Sequence, residues 1–351
     1  MRRVLPMAFL AAALIAAAVP ASAQGQPAQG QPAQGQPAQG QGDGARQGRD
    51  GGAPGGGGGR QGGGAGGGQA GGQGGGRQGG GAPAAPPAIK QVTEGLYMVT
   101  GLGGNSTVRV DPTGLMIVDT KNLGEPNYNQ LMDLVKTVSQ APVKYVFVTH
   151  HHQDHSGNIG SFQKAGVPVI VQANLNKNLE TYNPQQGKPE MAKLTYTKDK
   201  KVKVGKAKAE AHYYGRGHTN GDTFVWFPDV KVVSAGDMIT GTAPNSDMPF
   251  GGSVVEWVST LDKVLKLPFT YVIPGHGNDP LTRAQVQEFR DKWNSILTRG
   301  IESVKKGTPK DQLLASIKVD DLGGWNVNSF APANRLDPLY AELQAAAAKA
   351  K

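Results

Sequence analysis

The chain has 351 residues and no cysteine, and its 36 Lys and Arg against 27 Asp and Glu give it a net charge of +9. The absence of cysteine excludes disulfides, thiol nucleophiles and thiolate metal ligands. A positive charge of this size mildly favours anionic substrates without specifying one. We expect no specific nucleic-acid partner, because no separate clamp domain is visible, and the composition does not set the oligomeric state.

Residues 1–23 have the pattern of a secretory signal peptide. Arginines at positions 2 and 3 precede an apolar run over residues 4–19, and Ala21-Ser22-Ala23 supplies the small residues of a cleavage site before Gln24. The apolar run is short for a membrane span. We therefore expect an exported protein, periplasmic or secreted, with no transmembrane segment after cleavage.

Residues 24–88 form a low-complexity segment rich in Gly, Gln and Pro. The pentapeptide Gln-Pro-Ala-Gln-Gly occurs at 26–30 and recurs at 31–35 and 36–40. The segment has almost no aliphatic or aromatic side chains, so no apolar burial opposes the entropy of the backbone. It is predicted to be a disordered linker.

Residues 89–351 have a globular composition, and they are long enough for one domain with a large core. Apolar alternation and helical spacing predict an α+β fold in which helices interrupt a mostly β framework and extend it at the C-terminus. Strands are predicted at 95–99, 106–110, 115–119, 143–149, 167–171, 209–214, 223–227, 230–234 and 270–273. Helices are predicted at 125–140, 159–165, 254–266 and 282–305.

All seven histidines lie between residues 150 and 276, and four of them stand in the string His150-His151-His152-Gln153-Asp154-His155. Core packing gives no reason to place four imidazoles together, whereas imidazole nitrogen and carboxylate oxygen are ligands that zinc accepts. The alternation of His150 and His152 directs two side chains to one side of an extended segment. Because the buried strand 143–149 comes just before, the string predicts a two-metal hydrolytic site in a loop at a strand's carboxyl end.

These residues resemble the signatures of the metallo-β-lactamase superfamily. The run from Thr149 to His155 is similar to its T-H-x-H-x-D-H motif, and Asp119 lies where its first motif would be. His218 follows Gly215-Arg216-Gly217, Asp237 follows Ala235-Gly236, and His276 stands in Pro274-Gly275-His276-Gly277, in the order of the remaining motifs. The resemblance covers roughly residues 89–280. It implies a four-layer αβ/βα sandwich with metals at one edge between two sheets.

The resemblance also implies a ligand set for two zinc ions per chain. One zinc would be held by three histidines and the other by Asp154 with two histidines, while Asp237 would bridge them. Asp154 and Asp237 are the candidate catalytic carboxylates. A zinc with three neutral histidines keeps an open position and lowers the pKa of a bound water toward ~7. The implied ligands are His150, His152 and His218 for the first metal, and Asp154, His155 and His276 for the second.

Two further carboxylates are expected to support the ligand loops rather than to bind metal. Asp119 would hold the loop of the histidine string through hydrogen bonds, and Asp222 would hold the loop that carries His218. His151 points away from its neighbours and is expected to be a supporting or solvated residue. His212 is expected to be an ordinary residue on a sheet face.

The chain departs from the best-known members of the superfamily at the fourth motif. The commonest class B β-lactamases have Cys where this chain has Asp237, and they tend to have Lys three residues later, where this chain has Thr240. A bridging Asp is the pattern of glyoxalase II and of lactonases. The predicted function is therefore an exported zinc-dependent hydrolase that uses a metal-bound hydroxide on a small-molecule ester, thioester, lactone or amide carbonyl.

Three alternatives stay open at this point. The chain is a β-lactamase proper, an iron-dependent sulfur or thioester enzyme with the same ligands, or a non-catalytic module that keeps zinc for stability. Asp237 could instead cap the turn that follows it. The substrate loops are expected at 102–106, 174–195 and 240–254; in the last of these, Met248 and Phe250 would contact either the substrate or the core.

Overall fold

The computed structural model describes residues 86–241, 243–330 and 335–349. The predicted signal peptide and the segment from 24 to 85 lie outside the described residues. The first strand begins at Ala88, one residue before the predicted start of the globular part. Within the described ranges, no helix has both the length and the apolar character that crossing a bilayer requires.

The first sheet has seven strands that lie side by side in chain order. Its first four strands are antiparallel, and the strands from the fourth to the seventh are parallel. The strands are β1 (Ala88–Thr93), β2 (Leu96–Thr100), β3 (Ser106–Asp111), β4 (Gly114–Val118), β5 (Val143–Val148), β6 (Val169–Gln172) and β7 (Leu194–Tyr196).

The second sheet has six strands, which are β8 (Asp199–Val204), β9 (Ala207–His212), β10 (Phe224–Phe227), β11 (Val232–Ser234), β12 (Tyr271–Ile273) and β13 (Leu281–Thr282). Their spatial order is β13-β12-β11-β10-β9-β8. Only β11 and β12 pair in parallel.

Helices cover the outer face of each sheet, and a third core lies between the sheets. The architecture is thus the predicted α+β four-layer αβ/βα sandwich. The helices on the side of the first sheet are α1 (Glu125–Lys136), α2 (Gln153–Ser156), α3 (Ile159–Lys164) and α4 (Ala173–Thr181). Those on the side of the second are α5 (Val254–Val264), α6 (Arg283–Lys305), α7 (Leu313–Ser316), α8 (Val327–Phe330) and α9 (Leu336–Lys349).

The central strands are apolar throughout because both of their faces are covered. Along β4, Met116 and Val118 join the core between the sheets, while Leu115 and Ile117 join the core under the helices. Successive side chains of a strand point to opposite faces, so a strand covered on both sides needs an unbroken apolar run. Burying each such side chain contributes about 2 kcal/mol, which makes the edge on which the site rests rigid.

Several predicted boundaries differ from the structure. Helix α1 ends at Lys136 rather than at 140, before Pro142, which disfavours helical backbone in the residue ahead of it. The strand predicted at 209–214 runs from Ala207 to His212, because it pairs with the unpredicted strand β8 through a turn at Gly205. The expected loop at 174–195 contains α4, whose Leu175 and Leu179 are buried one turn apart.

Candidate metal centre

The seven candidate ligands come together at one edge of the sandwich, where strands of both sheets end. The histidine string follows β5, and His152 caps the short helix α2, whose first turn carries Asp154 and His155. Asp237 lies in a 3-10 helix just after β11, and His276 follows the neighbouring parallel strand β12. Parallel strands bring their carboxyl ends to the same edge, so residues distant in sequence meet there.

The first group contains three imidazoles around a common point. Nε2 of His150 lies 3.1 Å from Nδ1 of His152, which lies 3.0 Å from Nε2 of His218. Oδ2 of Asp237 lies 4.0 Å from the His150 nitrogen and 3.7 Å from the His218 nitrogen. All four ligand atoms are within 4.8 Å of one another, close enough for one ion to contact them all.

The second group contains Asp154, His155 and His276, with the other oxygen of Asp237 beside it. Oδ2 of Asp154 lies 3.2 Å from Nε2 of His276 and 3.5 Å from Nε2 of His155. Oδ1 of Asp237 lies 3.2 Å from the His155 nitrogen and 3.4 Å from the His276 nitrogen. Asp237 therefore directs one carboxylate oxygen toward each group.

Two histidines face inward with an unprotonated nitrogen because their outer nitrogen must donate a hydrogen bond. Nδ1 of His218 lies 2.7 Å from the carbonyl oxygen of Asn245, and Nδ1 of His155 lies 2.8 Å from Oδ2 of Asp119. Neither oxygen carries a proton, so each imidazole is the donor. Its proton occupies Nδ1, and the lone pair of Nε2 is left for a metal.

The same reasoning applies to the other two histidines of the first group. Nε2 of His152 donates to Oδ2 of Asp247 at 2.7 Å, which leaves its Nδ1 facing the group. Nδ1 of His150 lies 3.1 Å from Oγ1 of Thr149, and that hydroxyl donates its own proton to Asp119. The hydroxyl must therefore accept from His150, so Nε2 of His150 also faces inward with a lone pair.

The two groups differ in charge. Burial holds the pKa of His150 well below its usual value, and burial together with neighbouring His152 lowers the pKa of His218 to about 4. In the second group, the charge of Asp237 raises the pKa of His276 to about 10. Burial opposes a charged His155, but Asp154 and Asp237 outweigh it and raise its pKa well above the usual value.

The carboxylates of the second group stay ionised for the same reason. Burial raises the pKa of Asp237, but His276 and His155 outweigh it and hold that pKa well below the usual value. Oδ1 of Asp237 is nevertheless buried without a geometrically acceptable hydrogen bond among the described residues. A buried, ionised and unbonded oxygen aimed at two imidazole nitrogens fits a metal ligand. The residues present therefore suit divalent metal ions in both groups.

The predicted supporting carboxylates lie behind the ligand loops. Asp119, at a φ of +67°, accepts hydrogen bonds from the backbone nitrogen of Thr149 at 2.7 Å and from its hydroxyl at 2.8 Å, besides the bond from His155. Asp222 accepts from the nitrogen and hydroxyl of Thr219 at 2.8 and 2.6 Å. Both side chains are buried and join a ligand loop to its own backbone.

The other singled-out residues lie around the centre or away from it. His151 is fully buried rather than solvated, with its ring packed on Phe250 at 4.4 Å and on Tyr182 at 4.8 Å between centroids. Met248 packs against the outer core of the second sheet. His212 lies on β9, where Nδ1 is 2.6 Å from Oδ1 of Asp199.

Sequence reasoning missed Asp247 and Lys121. Asp247 stands in a loop that was singled out for its apolar residues, and no spacing connects it to His152. Lys121 is fully buried, and its Nζ donates to the carbonyl oxygens of Val99 at 2.8 Å and Gly104 at 2.7 Å. Burial lowers its pKa to about 7. A lysine two residues after Asp119 in an apolar context was the available signal, and it ties the 102–106 loop to the site.

Comparison with known proteins agrees with this geometry. The model of the metallo-β-lactamase superfamily matches residues 99–276. The metallo-β-lactamase IND-1 of Chryseobacterium indologenes is 29% identical over 191 residues, which are 52% of this chain and 76% of that protein. The metallo-β-lactamase type 2 of Elizabethkingia meningoseptica is 26% identical over 200 residues, 54% of this chain and 78% of that protein.

Solved structures share the fold at lower identity. A metallo-β-lactamase from Pontibacter korlensis superposes with a TM-score of 0.52 at 19% identity, over 59% of this chain and 99% of that one. A double mutant of the sec-alkyl sulfatase PisA1 gives a TM-score of 0.56 at 18% identity, over 69% of this chain and 47% of that one. With the family model spanning half of the chain and two His/Asp groups that could hold metal ions, the chain belongs to the metallo-β-lactamase superfamily of hydrolases.

Proposed function

We propose that the protein is an exported zinc-dependent hydrolase that holds two zinc ions and cleaves an ester, thioester, lactone or amide carbonyl of a small molecule. The observation that carries the proposal is Asp237, which directs one oxygen toward the three imidazoles of the first group and the other toward the second group. A carboxylate shared in this way suits two metals that act on one substrate.

The protein's own contribution is to hold the ligand atoms in place before any metal arrives. His150, His152 and His218 would hold one ion, and Asp154, His155 and His276 the other. The hydrogen bonds on the outer nitrogens keep the inner nitrogens unprotonated and fix the ring planes. Imidazole and carboxylate are ligands that suit zinc, which favours zinc over iron without depending on a thiolate.

When bound, the two ions would supply a water acidified for attack at neutral pH and would polarise the carbonyl of the substrate. Hydrolysis then requires a group that takes the proton of that water and returns it to the leaving oxygen, sulfur or nitrogen. Asp154 is suited to this role because its side chain is 30% exposed, against 13% for Asp237. Asp237 would hold the two groups at a constant separation.

An aromatic rim next to the first group supports a substrate with an apolar part. Tyr182 and Phe250 are partly buried and lie 5.7 Å apart, and the ring of Tyr182 lies 5.9 Å from that of His152. Burial raises the pKa of Tyr182 to about 12, so its hydroxyl stays neutral. Aromatic faces of this kind bind acyl chains or rings without requiring charge.

Hydrolysis of β-lactams is the second candidate function, and the names of two relatives favour it. Against it stand Asp237 and Thr240, which occupy the positions of the zinc-binding Cys and of the Lys that holds the antibiotic carboxylate in the commonest class B enzymes. Asp237 adds negative charge where that family branch has a single thiolate. We therefore place ester, lactone and thioester substrates ahead of lactams.

Metal analysis and a substrate panel test the proposal. Purified protein is expected to contain about two metal ions per chain, mostly zinc, and to hydrolyse activated esters, lactones or thioesters with a higher kcat/KM than penicillins or carbapenems. Iron as the resident metal would favour the sulfur or thioester alternative. Zinc without turnover on any of these substrates would favour the structural module, and efficient carbapenem hydrolysis would make the protein an antibiotic-resistance enzyme.

Export is proposed from the N-terminal sequence alone. Protein recovered from the periplasm or the medium is expected to begin at Gln24 when its N-terminus is sequenced. Recovery of the uncleaved chain from the cytoplasm alone would contradict export without affecting the proposed chemistry.

A further inference from the structure

The C-terminal part of the chain returns to the metal centre, although the family model ends at residue 276. Arg335 immediately precedes α9 and is 8% exposed. One of its guanidinium nitrogens, Nη1, donates to the carbonyl oxygen of Ser246, and the other, Nη2, lies 3.5 Å from Oδ1 of Asp247. The 240–254 loop is therefore held from behind by a segment that the family model does not include.

Asp247 connects that guanidinium to the first ligand group. Its Oδ2 accepts the Nε2 proton of His152 at 2.7 Å, so the two oxygens of one carboxylate face Arg335 and His152. The backbone nitrogen of Asp247 donates to the carbonyl oxygen of His218 at 2.7 Å. A single residue thus contacts two of the three histidines of the first group.

Helix α9 fixes where Arg335 lies. Leu339 and Leu343 are fully buried against the second sheet's helices. Glu342 accepts hydrogen bonds from the hydroxyl of Ser253 and from the backbone nitrogen of Val254 at 3.1 Å, at the start of α5. This second attachment joins α9 to the core without contacting Asp247, so it offers a control for mere docking of the helix.

A buried carboxylate between an arginine and a histidine can rotate toward either partner. The guanidinium is always charged and planar, and it holds an oxygen in one direction. With Oδ1 held, Oδ2 stays directed at Nε2 of His152, whose proton then remains on Nε2. Without Arg335, the carboxylate is free to turn toward Nε2 of His151, which lies 3.7 Å from Oδ2.

We propose that Arg335 is a positioning residue of the metal centre: it holds Asp247 so that His152 keeps its proton on Nε2 and presents Nδ1 to the first metal. The C-terminal segment is then part of the site rather than an appendage to it. The inference rests on the proposed function only in assuming that a metal binds there. Its direct readout, the position of the His152 proton, needs no hydrolysis.

The test uses full-length Arg335→Met, with Arg335→Lys as the rescue and Glu342→Gln as the docking control. Two quantities are measured: the protonation pattern of His152 by long-range proton–nitrogen NMR of its ring, and the affinity of the first group for Zn²⁺ by competition with a chromophoric chelator. Arg335→Met is expected to weaken Zn²⁺ binding at the first group by about tenfold. It should also give a mixture of His152 tautomers, while binding at the second group is unchanged.

The controls separate positioning from stability. Arg335→Lys is expected to recover part of the affinity, and Glu342→Gln is expected to lower the melting temperature while leaving the His152 pattern as in the parent protein. If Arg335→Met does not fold, Asp247→Asn serves in its place, with a loss of about ten- to a hundredfold. An unchanged tautomer and affinity in the folded variant, or an equal loss in Glu342→Gln, would overturn the proposal. A parent protein that binds no Zn²⁺ but keeps the Nε2 proton would contradict the proposed function alone.

Discussion

The two ligand groups have similar shapes and opposite electrostatics. In the first, buried imidazoles face one another, and the pKa values of His150 and His218 are lowered by burial. In the second, His155 and His276 face Asp154 and Asp237, and both imidazole pKa values are raised. The first group is thus mostly neutral and ready to bind a cation, whereas the second is a set of ion pairs whose protons a metal must replace.

Exposure follows the same division. The side chain of His276 is 40% exposed, whereas those of His150 and His218 are almost completely buried. The first group therefore owes its form to packing and to outer hydrogen bonds, and the second owes its form to charge. Asp237 belongs to both, so changes on either side of it are expected to have different consequences.

The largest effect is expected from removing the first group. His150→Ala combined with His152→Ala should leave at most one bound zinc and reduce turnover by about a thousandfold or more, because a metal's contribution to the transition state is worth several kcal/mol. The sheets do not depend on these side chains, so circular dichroism and the melting temperature should change little. Global unfolding of the double variant would instead indicate a structural metal.

Asp237→Asn tests whether the groups are joined. The amide keeps the size of the side chain but removes the charge that faces His155 and His276, so metal analysis should find one ion, retained by the first group. Turnover should fall by about a hundredfold. Asp237→Cys is expected to raise the kcat/KM for a lactam relative to an ester. Asp262→Asn, on the surface of α5, provides the matched control.

Gly104→Ala should weaken the second group selectively. A Cβ at this position would lie 2.2 Å from Cε1 and Nε2 of His155, too close for the ring to stay in place. We expect the Zn²⁺ affinity of the second group to fall by about tenfold and that of the first to stay constant. Gly300→Ala, where the nearest atom is a Leu343 methyl at 3.1 Å, is the control. Equal losses in both groups would show that they do not bind independently.

Proton release should distinguish the two groups at pH 7. Zinc at the second group should displace protons from both His155 and His276, whose pKa values are raised. At the first group, zinc should displace at most the one on His152: burial lowers that residue's pKa, but Asp247 outweighs it and raises it. Calorimetric titration in buffers of different ionisation enthalpy measures both numbers. Equal release at the two steps would contradict the difference in charge.

The stability of the metal-free protein should depend on pH in two opposite ways. The unfolded chain protonates His218 between about pH 4 and 6.5 while the folded chain does not, so this residue makes stability rise with pH in that window. His276 has a raised folded pKa of about 10, so its contribution is complete below pH 6.5 and is lost as the pH rises through 10. Denaturant titrations of the metal-free protein with His276→Gln should show a weaker loss at high pH.

The layer architecture and the principal ligand positions were predictable from the sequence. Apolar runs such as Leu115–Val118 indicate strands covered on both faces, and the histidine string lies directly after one of them. These are local patterns, because a strand, its loop and the following turn are contiguous in the chain. Boundaries were less predictable, as in α4, where burial of Leu175 and Leu179 against the sheet stabilises a helix that local composition does not indicate.

The amino-acid sequence by itself determined which side chains are available to bind a metal, since the residue types and their spacing around β5 are properties of one short segment. Only the tertiary structure decided which nitrogen each imidazole presents. The acceptors that set those nitrogens come from elsewhere in the chain: Asp247 lies 95 residues from His152, and Asp119 lies 36 residues from His155. Arg335 in turn reaches Ser246 across 89 residues. Such contacts form when packed layers bring separate loops to one edge, and no periodicity in the sequence records them.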